Sequence, residues 1–510
     1  MDAVAVSAAP LSTQHVVAVA RNGAAVSLDP GARAGIDAGR TVVDRHLAGD
    51  EPVYGLNTGI GALADTRISR EDLEQLQRNI VRSHAAGAGE ALPAEVVRAM
   101  MLLRARTLST GRSGVRVQVV ERILDVLNAG ITPVVPSRGS VGASGDLAQL
   151  AHIALALTGE GSMLVGDAPR PSADALREAG LEPLTLQAKE GLALINGTEG
   201  MTALGTLALG DMGALLAAAD VAAAMTIEAA LGTDRPFAED LMALRPHPGQ
   251  ADSAANLRAL LDGSAVIASH RESRHAVQDP YSMRCAPQVH GAARDAHMHA
   301  RRVFEIEMAS VTDNPVILPD GRVESAGNFH GEPLAYALDL LAIGATGVAS
   351  ISERRTFWIL GPGVSRDLPP FLSTHAGLGS GYMLAQYTQA ALVSECKGLA
   401  QPAGLDSIPT SGSQEDHVSM GWTSGLKLRR VLELVATVVG IELLCAAQAL
   451  DLRRPLVPAA GTAAALAAIR KRVPFLDQDR DLSVDIAAAT EMVRDRDVVA
   501  AVRAAAGPLL

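Results

Sequence analysis

Three long apolar segments constrain the fold of this chain more than any other feature. They cover residues 201–231, 334–351 and 424–454, and Asp211, Asp220 and Glu228 interrupt the first of them. Alanine outnumbers the large side chains that lipid-facing helices carry. The third segment keeps helical spacing for about 30 residues, which makes a rod of roughly 45 Å. Helices that are apolar on nearly all sides are typical of the centre of a bundle. We therefore predict a mostly α fold, a large bundle of long antiparallel helices.

Composition and charge narrow the class of protein. The chain has 510 residues, of which 48% are hydrophobic and only 3% aromatic, enough for a large core of Ala, Leu and Val. A net charge of −12 argues against a nucleic-acid or membrane-surface partner, which would need a basic face. The three cysteines, Cys285, Cys396 and Cys445, are far apart and odd in number. They predict reduced thiols, no metal and a cytoplasmic location, and the first residues do not resemble a signal peptide.

Smaller patterns give the expected organisation around the long helices. A mixed region of short helices and strands opens the chain, and residues 313–323 predict a β-hairpin because Pro-Asp-Gly supplies the turn between two apolar strands. We expect an N-terminal active-site region over 1–200, a central long-helix bundle over 201–455 and a C-terminal helical cap over 456–510.

One glycine-rich loop combines flexibility with a helix start. Residues 139–147 contain three glycines and Ala143-Ser144, and an apolar helical pattern begins directly after them. By itself, this composition is typical of a tight turn in which Ser144 or Asp146 caps the helix. A functional interpretation needs support from other parts of the chain.

Other polar groups stand at positions that suit a site. Tyr54 lies in a glycine-rich loop without helical period, and His84 falls at the C-terminal end of a predicted helix. Asn196 ends an apolar run, where it could simply cap a helix. Residues 278–285 are predicted to be a non-helical segment that holds an amide, a phenol and a guanidinium close together.

Taken in order, these motifs resemble those of the aromatic amino-acid ammonia-lyases. The matching segments are Tyr54-Gly-Leu-Asn-Thr-Gly, Ser83-His84, 142–147, Asn196-Gly-Thr, 278–285, Gly-Asn-Phe-His at 327–330 and Gln-Glu-Asp-His at 414–417. The resemblance covers about residues 10–455 and is greatest to the bacterial members that act on histidine.

The resemblance implies a prosthetic group made from the chain itself. Ala143, Ser144 and Gly145 would cyclise to a methylidene-imidazolone, with no external cofactor. Glycine suits the attacking amide because it has no side chain to obstruct ring closure, and Ser144 would lose water to give the alkene. Asp146 would assist the proton movements. The product is an electrophile, which the standard side chains cannot supply.

The resemblance also assigns roles around that group. Tyr54 would be the base that removes the β-proton, and Tyr281 would assist it. The predicted substrate-binding residues are Arg284 for the carboxylate, Asn196 and Gln278 for orientation, Phe329 beside the electrophile, and His84 and Glu415 at the substrate ring.

A carboxylate with an imidazole partner suits the polar ring of histidine. Phenylalanine would leave Glu415 unpaired, at a cost of about 1–3 kcal/mol. We therefore predict conversion of L-histidine to urocanate and ammonia, by a homotetramer whose active sites draw on more than one subunit.

Two alternatives stay open at this point. Residues 360–365 lack the Asp-Lys pair that the family usually carries there, which could shift substrate preference. The chain could therefore be an ammonia-lyase or 2,3-aminomutase for tyrosine, phenylalanine or a modified histidine. A non-catalytic helical scaffold is the remote alternative.

Overall fold

The structure, a computed structural model, describes residues 3–49, 51–273 and 276–510. Within them it has twenty α-helices and nine short β-strands, which confirms the predicted mostly α class. The first ten helices are α1 Thr13–Asn22, α2 Pro30–Ala48, α3 Leu73–His84, α4 Ala94–Ser109, α5 Val117–Asn128, α6 Leu147–Leu157, α7 Ser172–Glu178, α8 Glu190–Ile195, α9 Glu199–Ala229 and α10 Glu239–Ala243. The other ten are α11 Pro248–Leu261, α12 Ala265–Ala268, α13 Tyr281–Arg284, α14 Ala286–Ala309, α15 Glu332–Leu360, α16 Met383–Leu399, α17 Gly421–Leu452, α18 Ala460–Arg472, α19 Leu482–Arg494 and α20 Asp497–Ala506.

The strands form small, separate sheets. Their bounds are β1 Val4–Val6, β2 Val26–Leu28, β3 Ala88–Ala91, β4 Thr132–Pro133, β5 Pro136–Arg138, β6 Ser162–Val165, β7 Ala168–Pro171, β8 Val316–Ile317 and β9 Val323–Glu324. Strands β1 and β2 pair in parallel, β3 pairs with β5, and β4, β6 and β7 form a three-stranded sheet. The predicted hairpin is confirmed, because β8 and β9 are antiparallel and Gly321 takes the positive φ that the turn requires.

The predicted long helices are α9, α15 and α17, of 31, 29 and 32 residues. By length and composition alone, each could cross a membrane. In the protein, 78%, 56% and 89% of their most apolar windows are buried. Helices α9 and α17 are thus largely covered by protein, whereas α15 keeps an exposed apolar share.

Contacts within the chain define two compact units. The first contains residues 1–207, 301–338 and 402–426, and the second contains 208–300, 339–401 and 427–510. Each unit is assembled from separate stretches of sequence. The three consecutive segments expected from the sequence follow a different division and stay a prediction.

In the first unit, three helices fix the backbone on which a site can be built. Helix α6 packs on α3 and α8, and α3 also contacts α8. Helix α3 ends at His84, α8 ends just before Asn196, and α6 begins just after the Gly142–Asp146 loop. Packing three helix cores therefore brings three helix ends, and the polar residues they carry, to one region.

One local prediction was wrong. Residues 281–284 are not irregular but form a single helical turn, α13. Pro280 occupies the N-cap with φ −61°, a backbone angle that proline presets for a helix start. The short turn leads directly into α14, whose helical pattern the dense polar residues concealed.

Candidate active site

A cleft of about 600 Å³ in the first unit collects five of the residues predicted from the sequence. Tyr54, His84, Ser144, Asn196 and Glu415 all line it. They come from separate stretches of the chain and include the ends of helices α3 and α8. The remaining lining residues include apolar side chains from the Tyr54 loop and from helices α3 and α8, so the polar groups converge in a mainly apolar cavity.

The Ala143-Ser144-Gly145 loop has a backbone that only this kind of sequence can adopt. The φ angles of Gly142, Ser144 and Gly145 are all positive, at 71°, 49° and 75°. A Cβ on Gly145 would lie 1.7 Å from the Gly197 carbonyl oxygen. The Gly197 amide donates to the Ser144 carbonyl at 3.2 Å, so this loop is held against the Asn196-Gly197 turn. Glycine at 145 is therefore required both by φ and by close approach.

Asp146 does not cap helix α6, although it stands at the N-cap position. Its fully buried carboxylate accepts hydrogen bonds from the Met201 amide at 2.8 Å and from the Ser140 hydroxyl at 3.1 Å. Burial raises the pKa of the Asp146 carboxyl to about 7, and these two hydrogen bonds oppose the rise. The simple capping interpretation is wrong for Asp146, since its side chain is used for tertiary contacts.

Ser140 is a site residue that the sequence analysis missed. Its hydroxyl lies 3.3 Å from the Gly145 carbonyl and accepts from the Gly142 amide at 3.0 Å. It thereby ties together both ends of the loop that holds Ala143 and Ser144. Its only sequence signal was a place in the glycine-rich stretch, and serine is common in such loops.

Tyr54 lies half-buried in a loop that is held by hydrogen bonds between its own residues. The Asn57 side chain accepts from the Val53 amide at 2.7 Å and donates to the Glu51 carbonyl at 2.9 Å. The Gly61 amide donates to the Tyr54 hydroxyl oxygen at 3.3 Å. This hydrogen bond fixes the position of the phenol oxygen.

The hydrogen bonds of His84 define its tautomer. Its Nδ1 lies 2.8 Å from the Ile80 carbonyl oxygen, one turn earlier in α3. A carbonyl only accepts, so Nδ1 carries a proton. In the neutral ring this leaves the Nε2 lone pair for a donor in the cleft.

Asn196 presents an acceptor to the cleft. Its Nδ2 donates to the Asn314 carbonyl at 2.8 Å, while its buried Oδ1 has no hydrogen-bond partner among the described residues. The backbone of Asn196 is fixed as well, since Arg104 donates to its carbonyl at 3.0 Å. An orphaned buried acceptor is costly unless a ligand supplies the donor.

A buried ion pair supports the partner of Asn196. Lys189 Nζ lies 2.9 Å from Asp313 Oδ2, and both side chains are fully buried. The other oxygen of Asp313 accepts from the Asn314 amide at 2.7 Å. The sequence analysis missed this pair because its members are 124 residues apart.

Glu415 faces the Ala143-Ser144-Gly145 loop, called the reactive loop below because the proposed electrophile would form there. The Thr410 hydroxyl donates to Glu415 Oε2 at 2.6 Å, and the Ser144 hydroxyl lies 3.5 Å from Glu415 Oε1. Residues 410 and 415 also pair through their backbones. Thr410, which the sequence analysis did not single out, therefore fixes the direction of the carboxylate.

The second unit has a separate pocket of about 530 Å³ that holds three other predicted residues. Gln278, Tyr281 and Arg284 line it, and the Arg284 guanidinium lies 4.6 Å from the centre of the Tyr281 ring. Tyr281 is 71% exposed. These three residues are not among those that line the cleft of the first unit.

Asp279 and Arg366 hold this pocket together. Arg366 Nη2 donates to Asp279 Oδ1 at 2.8 Å, and the Thr233 amide donates to Asp279 Oδ2 at 2.7 Å. Arg366 comes directly after the segment in which the sequence departs from the family pattern. Neither member of this pair was predicted from the sequence.

Phe329 is not among the residues that line the cleft of the first unit. It is partly buried in the turn between β9 and α15, in the first unit. Its predicted place beside the electrophile stays a prediction.

The reactive loop fits the prosthetic group that the sequence predicts. Ring closure joins the Gly145 nitrogen to the Ala143 carbonyl carbon, and a loop with successive positive φ angles is already tightly folded there. The loop is also largely removed from water, with Ala143 6% exposed and Gly145 buried. Ala143, Ser144 and Gly145 could thus hold such an electrophile close to Glu415 and Asn196.

The family model described as aromatic amino acid lyase matches residues 11–471. A histidine ammonia-lyase from Streptomyces avermitilis is 53% identical over 511 residues, with 100% of each chain covered. The chain therefore belongs to the aromatic amino acid lyase family, as the motifs predict.

Solved structures agree. The histidine ammonia-lyase of Trypanosoma cruzi superimposes with a TM-score of 0.91 and 42% identity, covering 98% of this chain and 95% of that one. A tyrosine aminomutase from Streptomyces globisporus gives a TM-score of 0.94 at 36% identity, covering 99% and 100%. The fold alone is thus shared by lyases and aminomutases, and the substrate has to be argued from the site.

Proposed function

We propose that this protein, a carbon–nitrogen lyase, eliminates ammonia from L-histidine to give trans-urocanate. The observation that carries the proposal is the cleft in which Ser144, Tyr54, His84, Asn196 and Glu415 meet. Full-length relatives at about half identity bear the name histidine ammonia-lyase, which supports the same substrate.

The proposed prosthetic group is the methylidene-imidazolone formed from Ala143, Ser144 and Gly145. When formed, it supplies an electrophile that makes the substrate amine a better leaving group. Asp146 is suited to assist its formation, because a carboxyl whose pKa is near 7 can give and take protons at neutral pH. Ser140 would position the loop ends while the ring closes.

Tyr54 is the proposed base for the β-proton of the substrate. The Gly61 amide, 3.3 Å from its hydroxyl oxygen, would hold that oxygen in position to take the proton. The hydrogen bonds of the Asn57 side chain within the loop would hold the phenol at the cleft.

The ring of the substrate would be recognised by Glu415 and His84. A protonated imidazole offers one N–H donor to the Glu415 carboxylate and a second to the His84 Nε2 lone pair, whereas a phenyl ring offers none. Phenylalanine would leave Glu415 Oε1 and His84 Nε2 without a donor from the substrate in a cleft with apolar walls, at a cost of about 1–3 kcal/mol for each. A hydrogen-bonding site discriminates strongly against a ligand without the matching group.

The substrate carboxylate is assigned to Arg284, with Gln278 orienting it and Tyr281 assisting the base. A planar guanidinium is suited to bidentate pairing with a carboxylate. The Arg284 Nε is buried without a partner among the described residues, so the side chain still has donor capacity for a ligand.

We infer a homotetramer whose active sites combine residues from more than one subunit. Large apolar side chains on α15 and α16 remain exposed, among them Tyr336, Ile343, Phe357, Leu384 and Tyr387. An exposed apolar surface of this kind is typical of an interface. In such an assembly a neighbouring chain would supply Gln278, Tyr281 and Arg284, which do not line the cleft of the first unit. A cytoplasmic location remains part of the proposal, consistent with three free thiols.

A substrate panel followed by mass spectrometry tests the proposal. The purified protein is given histidine, phenylalanine, tyrosine and a betaine of histidine, and products are identified by mass and absorbance. We expect urocanate and ammonia from histidine and little turnover of the others. Cinnamate from phenylalanine, or a β-amino acid from any substrate, would show that the enzyme is a different lyase or an aminomutase. An intact mass that is two water molecules below the mass encoded by the sequence would identify the proposed ring. An unmodified mass would argue for a scaffold.

A further inference from the structure

Two histidines and a glutamate meet outside the cleft, in the first unit. They are His330 and Glu332, at the start of α15, and His417, in the loop before α17. One possible ligand atom from each lies within 4.8 Å of the others. Neither the proposed chemistry nor the predicted site uses them.

The carboxylate of Glu332 lacks a donor at its inner oxygen. Glu332 Oε2 is buried and has no hydrogen-bond partner among the described residues. The interaction of the carboxylate with the Tyr336 hydroxyl raises the pKa of that phenol but leaves Oε2 unpaired. Both His330 Nδ1 and His417 Nε2 lie 4.0 Å from Oε2, too far for a direct hydrogen bond.

The tautomer of His330 is set by its other nitrogen. His330 Nε2 lies 3.2 Å from the His417 carbonyl oxygen, and a carbonyl accepts but does not donate. Nε2 therefore holds a proton, and in the neutral ring Nδ1 presents a lone pair towards Glu332 Oε2. An imidazole whose second nitrogen donates to a backbone carbonyl is the usual arrangement of a metal-bound histidine.

The two imidazole rings are arranged as a pair. Their planes are within 4° of parallel and their centres lie 5.7 Å apart. This places His417 Nε2 and His330 Nδ1 at equal distance from one anionic oxygen. In the tautomer of His417 with a lone pair on Nε2, three electron-pair donors face a common gap, and a cation between them offsets their mutual repulsion.

We propose that His330 Nδ1, His417 Nε2 and Glu332 Oε2 form a binding site for one divalent transition-metal ion, of which Zn²⁺ is the type. Two imidazoles and one carboxylate suit a borderline-soft ion and leave a fourth position for water. Zinc–ligand bonds of about 2.0–2.1 Å place ligand atoms about 3.3 Å apart, so the three donors need to move inwards by a few tenths of an ångström. The His417 side chain, 68% exposed, is free to rotate by that amount.

The site would link two segments that are far apart in sequence. His417 lies two residues after Glu415, and its distance from His330 is 87 residues. A bound ion would fasten the Glu415 loop to the start of α15. The sequence analysis predicted no metal from the number and spacing of the three cysteines, and none of the three proposed ligands is a cysteine.

Metal titration of the tag-free, full-length protein tests the site without any use of activity. Zn²⁺ is titrated by calorimetry, and Co²⁺ is added alone as a visible-absorbance probe of nitrogen and oxygen ligands. The variants are Glu332→Gln, which keeps the side-chain shape, and His417→Ala, which alters an exposed residue. The matched control is His375→Ala, because His375 is an exposed histidine 3.9 Å from a single carboxylate, that of Asp477.

We expect one ion per chain, a raised melting temperature on Zn²⁺ binding, and affinity at least tenfold weaker in both variants but unchanged in the control. Circular dichroism checks that each variant is folded. If His417→Ala does not fold, the affinity of Glu332→Gln alone tests the site. No binding by the wild-type protein would overturn the proposal, since a proton alone would then serve the cluster. Equal affinity in all four proteins would also overturn it.

Discussion

The cleft of the first unit and the pocket of the second differ in how firmly their polar groups are held. In the cleft, Asn196 donates and Glu415 accepts a hydrogen bond within the unit, and the buried Asp146 two residues after Ser144 accepts two. In the pocket, Tyr281 is 71% exposed and the Arg284 Nε has no partner among the described residues. The cleft is preorganised for chemistry, while the pocket presents groups that still need a ligand or a neighbouring chain. The proposed electrophile and ring-binding residues thus lie in the more firmly held region, and the proposed carboxylate-binding residues lie in the more exposed pocket.

The largest expected effect comes from removing the source of the alkene in the cleft. Ser144→Ala should leave the fold intact and lower activity by more than about a thousandfold, since no other side chain can supply the electrophile. Intact mass measures the loss of the modification, and urocanate absorbance measures activity. Ser411→Ala, at another serine that lines the cleft, is the control and should retain both. Wild-type turnover by Ser144→Ala would refute the assignment.

The buried carboxyl beneath the loop should make stability depend on pH. The Asp146 pKa rises from 3.8 to about 7 on folding, so the folded state holds a proton that the unfolded state loses. This contribution is fully present below pH 3.8 and is lost as the pH rises through about 7. Between pH 5 and 8 the free energy of unfolding should fall by about 3 kcal/mol on this account.

The variant Asp146→Asn tests this pH dependence of the free energy of unfolding. It is made in the Ser144→Ala background, in which the loop stays unmodified. Urea unfolding at several pH values should show a smaller decline in the double variant than in Ser144→Ala alone. Asp320→Asn, at an exposed carboxylate, should decline like its parent. Parallel pH curves for all three proteins would contradict the buried, proton-holding Asp146.

The next largest expected effect concerns the pocket of the second unit, whose polar groups are held less firmly. Arg366→Met removes the charged hydrogen bond that holds Asp279 and, through it, the Gln278–Arg284 segment. We expect KM for histidine to rise at least tenfold while kcat changes less than about threefold, since hydrogen bonds to charged groups are worth about 1.5–3 kcal/mol.

Two further variants separate positioning from general destabilisation. Arg366→Lys should recover part of the affinity, because a cation then remains beside Asp279. Arg354→Met alters a more exposed arginine next to Phe357 and should leave KM unchanged. A fall in kcat with constant KM in Arg366→Met would assign the pair to the chemical step instead.

The smallest expected effect concerns the orientation of the Glu415 carboxylate in the cleft. Thr410→Val deletes the 2.6 Å hydrogen bond to Glu415 while keeping the side-chain volume. Affinity for histidine should fall about three- to tenfold, in line with about 0.5–1.5 kcal/mol for one hydrogen bond. Thr410→Ser restores the hydroxyl and should restore the affinity. If Thr410→Val binds histidine normally, Glu415 is oriented by other contacts.

Much of the fold was predictable because it depends on local patterns. The hydrophobic spacing of 424–454 predicted α17, and Pro-Asp-Gly predicted the β8–β9 hairpin. The segment around Tyr281 was misjudged because its polar residues hide one helical turn behind Pro280. Local rules describe which backbone conformations are favourable, but a single helical turn is also stabilised by the longer helix next to it, here α14.

The candidate site was predictable only in part. Tyr54, His84, Ser144, Asn196 and Glu415 were named from motifs, and the cleft brings them together. Ser140, Thr410 and the Lys189–Asp313 pair were missed, since each acts through a partner that packing alone supplies.

The sequence by itself determined the family, the long apolar helices and the small residues around Ser144 that a cyclising loop requires. Tertiary structure decided what surrounds that loop: a carboxyl with a pKa near 7, an unpaired Asn196 oxygen, and a glutamate directed by Thr410. The physical reason is that backbone propensity and apolar period are properties of neighbouring residues. Desolvation and hydrogen-bond pairing depend on atoms that only the folded chain brings within a few ångströms.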